Sequence, residues 1–176
     1  PIELRPTKGR HWARSGRPDR VRATYNRGGG TRQFLAAFNY HKGTWFGRLR
    51  RRKRSKEVFS FFRRLRRHYP ATQRIYLIMD NFATHATVPI RSWAKKNRVS
   101  LVFTPTNASW CNPIEAHFAS IRSYAFAGTD HRDWGAVSAA LQAALRWKTS
   151  HRKEMLEARE DRRRRRKRQL WRVRAN

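Results

Sequence analysis

Eleven acidic residues stand against forty-two lysines and arginines in this chain of 176 residues, few enough to weigh one by one for chemistry. Glu154, Glu157, Glu160 and Asp161 lie in a basic C-terminal stretch at spacings that pair carboxylates with Arg and Lys along a helix. Glu57 falls in the first turn of a predicted helix, where negative charge suits the helix dipole. Asp130 and Asp133 read as helix caps, and Glu3 and Asp19 lie in an irregular leader. Asp80 and Glu115 remain. Asp80 follows the apolar run Ile75 to Met79, which places it at the carboxyl end of a strand, where open α/β sheets bind ligands. A turn role beside Asn81 explains it equally well. Glu115 ends the segment Asn112-Pro113-Ile114-Glu115, and taken alone it reads first as the Glu of a capping box.

Those two acids need elements to hold them. Gln33 to Phe38 predicts a buried strand, His41-Lys42-Gly43 a turn, and Thr44 to Phe46 a second strand, so the two form a hairpin. Val21 to Tyr25 reads as a further short strand, and Gly28-Gly29-Gly30 as a flexible turn. Ser55 caps a predicted helix whose apolar positions are Val58, Phe61, Phe62 and Leu65, and Pro70 closes the segment. The unbroken apolar run Ile75 to Met79 predicts a central strand covered on both faces. A helix is expected over 88–96 and a strand at Leu101 to Phe103. After a loop, Asn112 at the N-cap and Pro113 at the first helical position start a helix that Gly128 breaks. A last core helix runs from about Asp133 to Ser150, with Trp134, Val137, Leu141 and Leu145 inward. The alternation predicts an α/β fold with a mixed sheet flanked by helices.

The pair of acids is more specific than either member. Thirty-four residues separate Asp80 from Glu115, and the flanking segments are Ile-Met-Asp-Asn-Phe-Ala-Thr-His and Thr-Pro-Thr-Asn-Ala-Ser-Trp-Cys-Asn-Pro-Ile-Glu. This pattern resembles the mariner-like DDE transposases, especially their bacterial insertion-sequence branch. There a strand ends in an Asp-Asn-x-x-x-His segment, and a Pro-rich loop delivers Asn-Pro-Ile-Glu at this distance. The resemblance covers roughly residues 1–150 and is most specific over 75–125.

The resemblance implies a ribonuclease H-like catalytic domain over 1–150, followed by a basic C-terminal helix or tail over 151–176. It implies metal-dependent phosphodiester hydrolysis and strand transfer in DNA transposition, with Asp80 and Glu115 as catalytic metal ligands. The complete site is expected to hold two ions of Mg²⁺ or Mn²⁺. It also needs a third carboxylate, an Asp on a first strand that precedes the hairpin. Neither Glu3 nor Asp19 stands where the motif requires it, and the first strand is expected to be missing from this sequence. The chain is accordingly expected to be weak or inactive as an enzyme by itself. The other expectation is a catalytically inactive DNA-binding remnant of a transposase.

Charge supports a polyanionic partner. The formal net charge is +31, a value at which a chain repels itself unless phosphates neutralise it. A basic structural RNA-binding protein would explain the charge but not the paired acidic motifs. DNA, as element ends and target, is the expected partner, with a homodimer expected in the DNA complex. Arg50, Arg51, Arg52, Lys53 and Arg54, together with Arg163, Arg164 and Arg165, are candidate phosphate contacts. For any one of them a solvated side chain is the simpler role. His85 is a candidate for the site or for a phosphate, or else a loop histidine bonded locally. Cys111 is the single cysteine, so no internal disulfide is possible, and it is expected to be a small buried apolar side chain. The N-terminus has no apolar signal-peptide core and no stretch is long enough to span a membrane, so a cytoplasmic, nucleoid-associated protein is expected.

Overall fold

The computed structural model describes residues 1–9, 14–17, 29–106, 108 and 111–174. The expected strand Val21 to Tyr25 lies outside the described residues, as do Asp19 and Trp110. Along the chain run β1 (Ile2–Glu3), β2 (Thr31–Asn39), β3 (Thr44–Arg50), α1 (Ser55–Arg66), β4 (Ile75–Met79), α2 (Val88–Lys96), β5 (Val99–Phe103), α3 (Glu115–Phe126), α4 (Trp134–Ser150) and α5 (Arg152–Arg174). A 3-10 turn, Ala83–His85, follows β4.

The strands form two sheets. β1, β2 and β3 are antiparallel in that order, while β4 and β5 pair in parallel, with Ile75 opposite Val99 and Met79 opposite Phe103. The hairpin is as expected, and its register sets Phe38 against Trp45. β3 runs on to Arg50, so Arg48 and Arg50 are strand residues and only Arg51 and Arg52 begin the exposed cationic segment. Gly47 is what lets α4 approach β3: a Cβ there would stand 2.6 Å from Leu145 and 2.8 Å from the Phe34 ring.

Two cores follow from strand alternation. β2 sends Phe34 to a core built on α3 and α4, where Ile121, Val137 and Leu141 are fully buried. Its Leu35 and Ala37 face the opposite core, built from Val58, Phe61 and Phe62 of α1, Ile90 of α2 and Met79 of β4. Covering on both faces therefore belongs to β2. β4, expected to be covered twice, is not: Tyr76 is 65% exposed and Ile78 52%. The physical reason is placement, because α3 and α4 pack on the β1–β3 sheet, and α1 and α2 cover one face only of the β4–β5 pair.

Helix boundaries correct two capping expectations. Ser55 is not the cap of α1. Arg54 is, with its backbone N–H donating to Glu57 Oε2 at 3.1 Å, while Ser55 Oγ lies 3.0 Å from Thr87 Oγ1. α3 begins at Glu115, three residues after Asn112, whose Oδ1 instead accepts from Ile114 N at 3.3 Å. Asp133 does cap α4, accepting from Ala136 N at 2.8 Å. The C-terminal stretch, expected as helix or tail, is the helix α5.

One arginine serves the fold. Arg66 is 9% exposed and donates to the carbonyls of Asn97, Tyr69, Pro70, Ala71 and Gln73. It ties the end of α1 to the chain reversal ahead of β4 and satisfies carbonyls that would otherwise be orphaned.

Candidate active site

Asp80 stands immediately beyond β4, as its apolar run implied. The ladder to β5 holds to the last strand residue and past it, since Thr104 N donates to Met79 O at 2.9 Å. The chain then folds back through the Ala83–His85 turn and places His85 against the carboxylate, with Nδ1 2.8 Å from Asp80 Oδ1 and 3.2 Å from Asp80 O. His85 is 8% exposed, with Phe62 and Phe82 beside its ring. Burial pushes its pKa below the usual histidine value and nearby Lys53 acts the same way, outweighing the raising effect of Asp80. A neutral imidazole donating its Nδ1 proton fits that environment. His85 is thus bonded locally, to Asp80, and lines the same cleft, so this contact fits both of the roles open to it.

Glu115 opens α3, where the positive end of the helix dipole favours a carboxylate. The expected capping box does not close. Among the described residues no hydrogen bond or ion pair engages the Glu115 carboxylate, and the residue is exposed. Cys111, expected to be buried, is exposed too, and its N–H donates to Ala108 O at 3.0 Å.

Asp80 and Glu115 line one cleft, together with His85, Asn112 and Lys53. Its volume is about 1520 Å³, larger than the few hundred Å³ that suit a small ligand. Its long walls are sheet edges. Among the described residues, β2 from Gln33 to Asn39 pairs only with β3 and β4 only with β5, and both line the cleft. Among the described residues no group of three His, Cys, Asp or Glu side chains gathers closely enough to hold a metal ion. The oxygen donors present suit a hard divalent cation in kind and fall short of it in number.

The basic candidates divide. Lys53 reaches the cleft, its Nζ 4.5 Å from the Phe82 ring centroid. Arg54 is committed to Glu57, with Nη2 2.6 Å from Oε1, and this bond lowers the Glu57 pKa to about 2. Arg50 lies in β3 opposite Gln33, and Arg51 and Arg52 are exposed. Arg163, Arg164 and Arg165 are exposed on α5, away from the cleft lining. Sequence reasoning missed a cluster that adjoins the cleft through Phe38 and Trp45 and includes His117 and the buried Lys148. A signal existed, because Lys148 continues the inward spacing of Leu141 and Leu145 on α4.

Residues 1–137 match the family of DDE superfamily endonucleases. The chain is 29% identical over 119 residues to the insertion element IS630 uncharacterized 39 kDa protein of Shigella sonnei, covering 65% of this chain and 33% of that protein. Its fold matches the Mos1 strand transfer complex with a TM-score of 0.61 at 15% identity, over 89% of this chain and 50% of that one. It also matches the catalytic core domain of BIV integrase with a TM-score of 0.53 at 19% identity, over 66% of this chain and 74% of that one. The expected mixed α/β, ribonuclease H-like fold and the likeness to mariner-like transposases of the insertion-sequence branch are thus both shown. The chain spans about a third of the length of the curated relative and half of the Mos1 chain. Its family implies divalent-metal dependence in general, and among the described residues no helix is long and apolar enough to cross a membrane. The chain belongs to the DDE superfamily endonucleases.

Proposed function

We propose that this chain carries two of the metal-binding carboxylates, Asp80 and Glu115, of a transposase catalytic domain that hydrolyses DNA phosphodiesters and transfers the freed strand. The observation that carries this is their convergence on one cleft from separate elements, a strand end and a helix start. His85 orients Asp80 and Lys53 adds positive charge where a phosphate would lie. Bound Mg²⁺ or Mn²⁺, as two ions in a completed site, would activate the attacking oxygen and stabilise the leaving one. The third carboxylate would come from an extended segment that adds as a strand between β2 and β4, joining the two sheets. DNA at the element ends and at the target would be the substrate, bound as a homodimer complex, with 1–150 as the catalytic unit and 151–176 as a basic appendage. The protein would act in the cytoplasm, on the nucleoid.

The test is divalent-metal-dependent nicking of supercoiled DNA by a chain extended with an apolar strand ending in Asp. Nicking is expected, with losses of at least about a hundredfold in Asp80→Asn and Glu115→Gln. Nicking that survives both changes removes these residues from the chemistry. A second reading has its own observation: no three-carboxylate group exists among the described residues, which favours a DNA-binding remnant without catalysis. The extended chain decides, since a remnant binds DNA and never cuts it.

A further inference from the structure

The aromatic cluster lies partly outside both cores. Trp45 packs against the α3–α4 core, but Phe38 and Tyr40 are members of no core cluster, and Tyr40 is 46% exposed. Phe38 stacks on Trp45 with centroids 4.6 Å apart and planes 25° apart, and it lies 4.9 Å from the His117 ring and 6.5 Å from Tyr40. His117 is two residues beyond Glu115 on α3, and Phe38, Tyr40 and Trp45 line the same cleft as both carboxylates.

A second observation separates this cluster from ordinary packing. Lys148 is 5% exposed, and among the described residues its ammonium has no carboxylate and no hydrogen-bond acceptor; its contact is the Trp45 ring, 5.8 Å away. A buried cation without a counter-ion is costly, and Lys and Arg are almost never buried unpaired. Trp45 Nε1 is also buried, with no hydrogen-bond partner among the described residues. Behind the rings there is therefore a positive charge with no counter-ion among the described residues, and Arg162 of α5 adds to it at His117. Flat aromatic surface over positive potential suits a planar base that carries its own phosphate better than it suits an apolar side chain.

We infer that Phe38, Tyr40 and His117, backed by Trp45 and Lys148, form a stacking platform for one unpaired nucleotide base beside the carboxylates. The inference rests on the nucleic-acid reading of the cleft and adds a subsite to it. A base held there would be unstacked from its neighbours and would fix the register of the adjoining phosphate relative to Glu115.

The 176-residue chain can test this with duplexes bearing a single-stranded overhang, in which 2-aminopurine replaces one base at a time across the junction. Stacking on an aromatic ring quenches that probe. Binding is expected to quench one position strongly and its neighbours little. Tyr40→Ala, at an exposed site that leaves the cores intact, should abolish that local quench and weaken overhang binding roughly tenfold. Its affinity for a blunt, fully paired duplex should change less than about twofold. Phe38→Ala should act in the same direction, with its melting temperature as the check on folding. Equal quenching at every position, or a local quench that survives both substitutions, overturns the platform while leaving DNA binding in place. Failure to bind either DNA overturns the nucleic-acid reading and the platform with it.

Discussion

His85 Nδ1 lies 2.8 Å from Asp80 Oδ1, a bond made by a side chain 10% exposed to one 43% exposed. The buried partner fixes the open one. Ordering of this kind around a metal-binding carboxylate is worth tenfold to a hundredfold in metal affinity or activity. In the strand-extended chain, His85→Ala is expected to raise the divalent-ion concentration for half-maximal nicking by roughly that factor. His85→Gln, which can still donate to Asp80, should recover part of it. A purely structural role would lower melting temperature in both variants and leave the metal dependence unmoved.

The two sheet edges that line the cleft make a second prediction. Tyr76 and Ile78 project into open space from β4, and Val102 opposite Ile78 is 42% exposed. Unpaired edges flanked by apolar side chains invite association. In the chain as it stands, Ile78→Ser should cost less than about 0.5 kcal/mol and should improve solubility. Once a strand occupies the cleft, the same change should cost about 1 kcal/mol, because side chains of the new strand then flank Ile78 on its own face. Urea unfolding of both forms reads the difference. Equal costs would mean that no strand inserts there.

Much of this was legible in the sequence because the signals were local. Five apolar residues before Asp80 specify a strand end, and Asp133 before Trp134 specifies a cap. The hairpin follows from two β-rich runs around His41-Lys42-Gly43. What was not legible depended on tertiary company. Nothing in Ile75 to Met79 says that α3 and α4 pack on the other sheet and leave Tyr76 bare. Asn112-x-x-Glu115 has the letters of a capping box, yet the helix begins at Glu115 and the carboxylate is left open for other work. Arg66 looks like its neighbours Arg63, Arg64 and Arg67, and only the fold gives it five carbonyls.

That distinction is testable in stability. Arg66→Ala removes a buried donor and orphans several carbonyls, for an expected loss of about 3 kcal/mol. Arg63→Ala and Arg64→Ala, on the exposed side of α1, should each fall within about 0.5 kcal/mol of the parent. Arg66→Lys keeps the charge but cannot serve five acceptors in a planar fork, so it should lie closer to Ala than to the parent. Three similar losses from denaturant titrations would show that Arg66 has no special role.

Gly9 carries a prediction about the leader. A Cβ there would stand 2.0 Å from Gly128 N and 2.4 Å from Ala127 C, both backbone atoms that cannot swing aside. The approach lets Thr7 N bond Thr129 O at 2.9 Å and Gly128 N bond Thr7 O at 3.1 Å, clamping the leader to the link between α3 and α4. Gly9→Ala should therefore break both bonds, at about 2 kcal/mol in all. Amide exchange at Thr7 and Gly128 should rise together. Protection that persists at both would show the clamp to be tolerant.

Lys148 gives a pH dependence whose sign is fixed by burial. Desolvation lowers its pKa from the ordinary 10.5, so in the folded chain the charged form is disfavoured. Below the lowered value the residue is protonated whether folded or not, and the full cost of the buried charge is present. Between that value and 10.5 the unfolded chain binds more protons than the folded one, so stability rises with pH across this window. Lys148→Met keeps the length and loses the charge. Near neutral pH it should stabilise the free chain by about 1 kcal/mol, or roughly 3 °C in melting temperature. The advantage over the parent should shrink as pH climbs toward 10.5, where the parent's lysine is neutral in the fold as well. With a base seated at Phe38 and Tyr40, the same substitution should weaken binding, so that charge costs stability in the free protein and favours the complex. Melting curves of both proteins across the alkaline range, with and without an overhang duplex, measure the two signs. A Met variant less stable than the parent at neutral pH would mean that the ammonium already has its partner in the free fold.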